Sequence, residues 1–253
     1  MVEVYGQATY GDRIAEVYDE WYQATGDHWL GSVDDTVAFL RTFAGEGPAL
    51  ELGIGTGRIA LPLQASGVAV HGIDASEAMV AKLAEKPGGG EIPVTIGSFA
   101  QFSVDERFAL VYVVFNTFFA LESQDEQVAS FQAVERHLTD GGVFVMEAFV
   151  PDLARFDRGQ RVGAINVETD AVRLDVTTHD PVAQRSTSQH VVIREDGIRL
   201  YPVRVRYAFV SELDLMARLA GLRLRERWAG WRREPFGSGA AKHVSVWGGR
   251  ATP

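Results

Sequence analysis

The 253-residue chain contains no cysteine. This absence excludes disulfide bonds, cysteine-ligated zinc, iron–sulfur clusters and a cysteine nucleophile. Long apolar runs are missing as well. The longest, residues 110–121, is interrupted by Asn116 and Thr117 and falls short of the roughly 20 residues that span a bilayer. We therefore expect no membrane-spanning helix and no membrane partner.

Basic residues are also in short supply. Lys and Arg total 24 against 34 Asp and Glu, which gives a formal net charge of −10. This balance weighs against an extended nucleic-acid surface, although it leaves room for a locally basic pocket. Residues 1–10 show neither the basic start nor the apolar run of a signal peptide. We expect a cytoplasmic protein without a nucleic-acid partner.

Residues 46–150 alternate short apolar runs with helical patterns. The predicted strands are Ala49–Leu52 and residues 68–73, 92–96, 108–115 and 143–150. Helices are expected between them, one of them capped by Ser76. Short apolar strands that alternate with helices are typical of parallel βαβ units with helices on both faces of the sheet.

The pattern changes after Pro151. Val172, Leu174 and Val176 alternate with polar residues, and Glu195-Asp196-Gly197 is a hairpin turn signal. Residues 151–210 are therefore predicted to form an antiparallel β insertion after the fifth strand, which joins or covers the main sheet. Residues 211–253 are predicted to complete that sheet with a helix and two strands, making it seven-stranded and mixed. We expect one domain, residues 1–253.

The strongest local motif is a glycine-rich loop between the first strand and the following helix. It reads Glu51-Leu52-Gly53-Ile54-Gly55-Thr56-Gly57-Arg58. Glycines allow a tight turn and close approach of a ligand to the backbone. A dinucleotide fingerprint would need glycine at position 58, where Arg stands, and a phosphate-binding Walker loop would need a lysine. Glu51 would repel a pyrophosphate but could attract an ammonium group.

Asp74 ends the second predicted strand. A carboxylate at this position of a βαβ unit can accept hydrogen bonds from both hydroxyls of a ribose. The structural alternative is a charge that stabilises the start of the next helix. The glycine loop and Asp74 together favour a nucleoside-containing ligand.

These motifs resemble those of the class I S-adenosylmethionine-dependent methyltransferases. ELGIGTG is similar to their first motif, and VHGIDAS to their second, with Asp74 as the ribose-binding acid. Gly97-Ser98 stands where the family has a Gly-Asp pair beside the adenine. The resemblance implies a doubly wound, Rossmann-like α/β fold and S-adenosylmethionine as cofactor. The cofactor-binding residues that it implies are Tyr18, Glu51, Gly53, Gly55, Thr56, Gly57, Asp74, Ala75, Met79, Ser98, Phe99, Phe115 and Asn116.

A narrower resemblance is to the small-molecule branch of that family, which includes enzymes that N-methylate amino sugars. Tyr18-Asp19 resembles the aromatic lid of that branch. The resemblance implies that residues 1–45 form a helical lid, 46–150 the cofactor-binding core and 151–210 a substrate cover. It implies methyl transfer to a nitrogen or oxygen of a small molecule, leaving S-adenosylhomocysteine. Four aromatic residues are candidate substrate contacts: Tyr22, Trp29, Phe118 and Phe119.

Catalytic residues are not identified by any motif. His179, His190 and His243 are candidates for a general base, and structural roles are the alternative for each. His, Asp and Glu show no metal-ligand spacing, so we expect no metal. Three other functions stay open: methylation of RNA or protein, nicotinamide-dependent oxidoreduction, and cofactor binding without catalysis. A homodimer is one expectation for the assembly.

Overall fold

The computed structural model describes residues 5–23 and 31–249. Its helices are α1 (Thr9–Gln23), α2 (Val33–Ala44), α3 (Ala60–Ala65), α4 (Glu77–Ala84), α5 (Gln124–His137) and α6 (Val210–Leu219). Its strands are β1 (Ala49–Leu52), β2 (Val70–Asp74), β3 (Val94–Ile96), β4 (Phe108–Val113), β5 (Leu138–Phe149), β6 (Gln160–Val167), β7 (Ala171–Asp180), β8 (Arg185–Arg194), β9 (Gly197–Arg206), β10 (Arg223–Trp228) and β11 (Lys242–Gly248).

The main sheet has seven strands in the order β10-β11-β5-β4-β1-β2-β3. Strands β1 to β5 pair in parallel, and β11 pairs antiparallel with both β5 and β10. The chain reverses direction across the sheet between β1 and β4, which places a ligand crevice at their carboxyl ends. The predicted α/β class with a seven-stranded mixed sheet is confirmed.

Two apolar cores lie on opposite faces of this sheet. Alternate residues such as Leu50, Val111 and Phe144 pack with α5 and α6, whereas Tyr112 and Val145 pack with α2 and α3. Successive side chains of a strand point to opposite faces, so strands covered on both sides must be apolar at nearly every position. This explains the continuous apolar runs in the sequence.

Residues 151–210 form a sheet of their own, with the order β6-β7-β8-β9 and antiparallel pairing throughout. Of the two predicted alternatives, the insertion therefore does not join the main sheet but forms a separate layer. Strand β6 was not foreseen, because Gly163 and a register shift between Ala164 and Asn166 break its alternation. Strand β5 begins at Leu138 rather than at the predicted residue 143, so it includes Gly141 and Gly142.

Helix α1 lies between the two sheets. Ile14 packs with Met79 of α4 on one side and with Val192 and Tyr201 of the insertion on the other. The helix therefore joins the cofactor-binding core to the inserted sheet. Within residues 5–23 and 31–249, no helix is both long and apolar enough to cross a membrane.

Candidate functional site

The glycine loop follows β1 and turns sharply below the crevice. Gly53 and Gly55 have φ angles of 72° and 56°, in the left-handed region that side chains rarely adopt. The Gly53 and Ile54 N–H groups donate to the Ile73 carbonyl at 2.7 and 3.0 Å. A Cβ on Gly53 would lie 2.3 Å from the Thr117 side chain. The loop is held tightly against the neighbouring strand ends and leaves open space above Gly55.

Asp74 lies at the end of β2 and faces this loop. Its Oδ2 accepts a hydrogen bond from the Gly55 N–H at 2.7 Å, and its Oδ1 accepts one from the Ser76 N–H at 2.9 Å. Burial raises the pKa of Asp74, and these backbone donors oppose the rise. Each carboxylate oxygen can accept further bonds. The side chain is thus fixed and still able to take two ligand hydroxyls.

Glu51 is buried at the base of the same cavity. Its Oε2 accepts a hydrogen bond from the Tyr112 hydroxyl at 2.9 Å. Burial raises the pKa of Glu51 to about 8, although the Tyr112 bond and the charge of Arg58 both lower it. A bound ammonium group would favour the ionised carboxylate, so Glu51 suits a cationic ligand.

Aromatic rings close one side of the cavity. Tyr18 and Tyr22 of α1 lie 4.8 Å apart between ring centroids, and Tyr22 meets Phe115 edge-on at 5.1 Å. The Arg58 guanidinium stands 5.5 Å over the Phe115 ring. Burial raises the pKa of the Tyr18 hydroxyl well above its usual value, so it stays protonated. Ring faces of this kind attract cations such as a sulfonium.

The loop after β4 is strained. Phe115 and Asn116 are consecutive non-glycine residues with φ angles of 54° and 64°, a conformation that costs about 1–3 kcal/mol for each residue. Buried Glu147 accepts from the Phe115 N–H at 3.1 Å, and Asn116 Oδ1 accepts from the Phe149 N–H at 2.7 Å. These bonds to β5 hold the loop and present the Phe115 ring to the cavity.

Helix α1 is fastened to the glycine loop by polar contacts that the sequence did not reveal. Asp19 accepts from the Thr56 hydroxyl at 2.6 Å and pairs with Lys86 at 2.6 Å. Asp12 accepts from the Ser76 hydroxyl at 2.6 Å. The only signal in the sequence was the spacing of Asp12 and Asp19, which are about two helical turns apart and therefore lie on the same side of α1.

The cavity enclosed by these elements has a volume of about 360 Å³, within the usual range of about 300–1,000 Å³ for small-molecule sites. The structure brings most of the predicted site residues to it. Those lining it are Tyr18, Tyr22, Glu51, Gly53, Gly55, Thr56, Asp74, Ala75, Met79, Ser98, Phe99, Phe115 and Asn116. Sequence reasoning treated Ser76 only as a helix cap and Arg58 only as a departure from the dinucleotide motif, although both line the cavity.

Three predicted residues do not line the cavity. Gly57 is not among the lining residues, and a Cβ there would lie 2.4 Å from the Leu83 side chain. Phe118 and Phe119 are fully buried in the core under β5, so the prediction that they contact substrate is wrong. Their position just after β4 suggested the ligand edge, but a short 3-10 helix turns them inwards. Trp29 lies outside the described residues.

The candidate histidines lie in three different environments. His243 is fully buried and bonds to Ser245 at 2.9 Å, and burial lowers its pKa to about 3. His179 bonds to the Tyr207 hydroxyl at 2.9 Å, stacks on Phe156 and lines neither cavity. His190 alone of the three faces the cavity. The structure therefore does not place His179 or His243 where a general base would act.

A second, larger cavity of about 1330 Å³ adjoins the first, between the inserted sheet, α1 and the end of β5. Six residues line both cavities: Phe149, Arg155, Phe156, Asp175, Ser186 and His190. They define the junction between the cavities. Within residues 5–23 and 31–249, no cluster of three or more His, Asp or Glu side chains is arranged to hold a metal.

The smaller cavity fits the cofactor that the sequence resemblance implies. Asp74 offers two oxygens to a ribose, and Glu51 offers a carboxylate to an ammonium. The absence of a Cβ at Gly55, where one would lie 3.2 Å from Met79, leaves the space that a nucleoside would fill.

Comparisons with known proteins agree with this site. A family model described as a methyltransferase domain matches residues 49–142. The solved structure of the CcbJ methyltransferase from Streptomyces caelestis shares 41% identity, covers 98% of this chain and all of its own, and superposes with a TM-score of 0.90.

Two curated relatives are more distant. The cypemycin N-terminal methyltransferase of a Streptomyces species is 28% identical over 74% of this chain and 77% of its own length. The dTDP-4-amino-2,3,4,6-tetradeoxy-D-glucose N,N-dimethyltransferase of Saccharopolyspora spinosa is 27% identical over 76% and 77%. The whole-chain similarity to CcbJ, the matched domain and the cavity built on the glycine loop and Asp74 lead to one conclusion. This chain belongs to the class I S-adenosylmethionine-dependent methyltransferases.

Proposed function

We propose that this protein transfers the methyl group of S-adenosylmethionine to an amine nitrogen of a small natural product. The observation that carries this proposal is the direct opening of the cofactor cavity into the larger cavity through six shared residues. A methyl group can pass between ligands only where their cavities meet. Two relatives support nitrogen as the acceptor, since their names specify an N-terminal and an amino-sugar substrate.

The chain's residues would act mainly by holding and aligning the two reactants. The cofactor supplies a methyl group on a sulfonium, which is a good leaving group, so the protein contributes position and exclusion of water. Asp74 would bind the ribose, Ser98 and Phe99 the adenine, and Glu51 the amino group of the methionine end. The rings of Tyr18 and Phe115 would face the sulfonium.

The domain division implied by the resemblance fits this arrangement. Residues 46–150 would bind the cofactor, residues 151–210 would cover the acceptor, and residues 211–253 would complete the sheet. The contacts of Asp12 and Asp19 with Ser76, Thr56 and Lys86 support α1 as a lid over the cofactor. A cytoplasmic location and a homodimer stay predictions, to be tested by fractionation and light scattering.

Titration calorimetry tests the cofactor, with S-adenosylhomocysteine as ligand and NAD as control. We expect micromolar binding of the first and none of the second. Binding of NAD without binding of S-adenosylhomocysteine would instead indicate an oxidoreductase.

The acceptor is tested by incubating the enzyme and S-adenosylmethionine with amino sugars, short peptides with free amino termini, and phenols. Mass spectrometry would detect the methylated product. We expect products 14 Da heavier from amines (the mass of one CH₂ group). Methylation of phenols alone would refute nitrogen as the acceptor atom. Methylation of peptides alone would show that the acceptor is a peptide terminus and not a small molecule.

A further inference from the structure

The junction between the two cavities is the place where the methyl group must cross. Of the six residues that line both cavities, Asp175 is the one acid and His190 the one imidazole. Both lie on the face of the inserted sheet that is turned towards α1, and they are register partners on β7 and β8. A carboxylate and an imidazole side by side at a point of group transfer can bind a cation and accept a proton.

Asp175 is held firmly without using all of its hydrogen-bonding capacity. Its Oδ2 accepts from Arg161 at 3.2 Å, and its Oδ1 accepts from the Thr177 hydroxyl at 3.0 Å. Thr177 is itself fixed by Ser188 at 2.7 Å. A carboxylate has about four acceptor positions, so Asp175 can take at least one more donor on the oxygen that faces His190.

His190 Nε2 lies 4.0 Å from Asp175 Oδ1. This gap is too long for a direct hydrogen bond, but an N–H group entering between the two atoms could contact both. The Nδ1 atom is buried and has no hydrogen-bond partner within residues 5–23 and 31–249. Burial lowers the pKa of His190, with Asp175 raising it and Arg173 lowering it further. The imidazole is therefore neutral at pH 7, so one of its ring nitrogens carries a lone pair.

The groups around His190 come from three elements. Asp175 and Arg173 face it from β7, and the Trp21 ring of α1 lies 6.3 Å away, between His190 and Tyr201 of β9. The Arg173 guanidinium sits 4.5 Å over that same Trp21 ring. Two more arginines lie near Asp175: Arg161 forms an ion pair with it, and Arg155, which also lines the junction, interacts with its charge.

We propose that Asp175 binds the protonated acceptor amine at the junction and that His190 takes its proton before methyl transfer. One N–H bond of the ammonium breaks, the proton passes to His190 Nε2, and the electron pair stays on nitrogen. That pair forms the new nitrogen–carbon bond as the carbon–sulfur bond breaks, with its electrons left on sulfur. His190 then returns the proton to water through the larger cavity. The proposal rests on the nitrogen acceptor proposed above.

The proposal predicts selectivity for cations over neutral acceptors. A phenol or alcohol would bring no charge to Asp175, and an amine already neutral in solution would not need His190. The assignment therefore goes beyond cofactor binding and places acceptor recognition in the insertion.

Sinefungin gives a test that needs no known acceptor. In this analogue of the cofactor an ammonium-bearing carbon replaces the methylsulfonium, so its cation points to the junction. Calorimetry would compare sinefungin with S-adenosylhomocysteine on the wild type, on Asp175→Asn and on Asp196→Asn. Asp196 is the matched control, because it lies on the same insertion, is paired with Arg199 and lines neither cavity.

We expect Asp175→Asn to weaken sinefungin about tenfold, as for the loss of one charge-assisted contact, and to leave S-adenosylhomocysteine unchanged. Asp196→Asn should alter neither affinity. Unchanged sinefungin affinity in Asp175→Asn, or an equal loss for both ligands, would overturn the role of Asp175. A wild type that binds neither ligand would instead overturn the proposed function.

NMR titration of the histidine ring protons tests the second residue. Sinefungin, but not S-adenosylhomocysteine, should lower the pKa of His190, because an adjacent ammonium disfavours the imidazolium. His179 is the matched control, because it lines neither cavity and its ring signals should not respond to sinefungin; His190→Gln identifies the His190 signal. An unchanged pKa of His190 with sinefungin bound would remove it from the junction chemistry.

Discussion

The central strands and the inserted strands of this protein bury their residues differently. Strand β1 is buried at every position, whereas half of the positions of β9 are exposed. On the outer face of the insertion, Ile198 and Leu200 are 66% and 54% exposed. The main sheet is packed on both faces, but the insertion rests on α1 by one face only.

This difference in packing suits the two sheets to different functions. The doubly packed core fixes the strand ends, and so the cofactor loops, within a small tolerance. The one-sided insertion lines the larger cavity with polar groups, and we propose that changes there alter acceptor recognition while leaving the core intact. Cofactor affinity should therefore depend on the core, and acceptor recognition on the insertion.

The largest effect should come from core packing. Phe118→Ala should lower the free energy of unfolding by about 3–5 kcal/mol, since it removes a fully buried ring. The matched change on the insertion, Ile198→Ala, should stay within about 0.5 kcal/mol because its side chain is exposed. Urea unfolding measures both. Equal losses would erase the contrast between the two sheets.

Cofactor binding should be lost when the glycine loop receives a side chain. Gly55→Val should weaken S-adenosylhomocysteine about 100-fold or more, because the residue has a positive φ and the branched side chain enters the ligand's space. Calorimetry measures the affinity, and circular dichroism checks the fold. Gly237→Val is the control, since that glycine has open space around it and an ordinary φ; a loss there too would point to general instability.

A smaller loss is expected when the ribose acid is neutralised. Asp74→Asn should weaken S-adenosylhomocysteine by one to two powers of ten, about 1–3 kcal/mol, through lost charge-assisted hydrogen bonds. Calorimetry on the folded variant gives the result. Asp196→Asn removes the same charge from the insertion and should leave the affinity unchanged. Equal effects of the two substitutions would contradict the division of tasks.

A pH dependence of stability is expected from Glu51. Its pKa in the folded protein is about 8, above the 4.5 of an unperturbed carboxyl. The unfolded chain therefore holds fewer protons between these values, so stability falls as pH rises from about 5 to 8 and then levels. Glu51→Gln should flatten this slope in urea unfolding measured at several pH values. A slope equal to that of the wild type would show that another group is responsible.

Much of the core could be predicted because its signals are local. Apolar runs, the serine caps of α2 and α4 and the glycine loop each reflect residues close together in the chain. Asp74 was predictable for the same reason, since the strand that carries it ends at the loop. Phe118 was misplaced because the direction of its side chain at a turn depends on a neighbour distant in the sequence, Phe131.

The sequence by itself determined the alternation of strands and helices, the glycine loop with its two acids, and hence the class of cofactor. These features depend on residue spacing and backbone freedom, which act over a few residues. Only the tertiary structure decided which groups meet at the junction. Asp175 and His190 face the end of β5 across the cavities, and α1 is tied to the loop by Asp19 and Lys86. These contacts join segments that are distant in the chain, so no pattern of neighbouring residues predicts them.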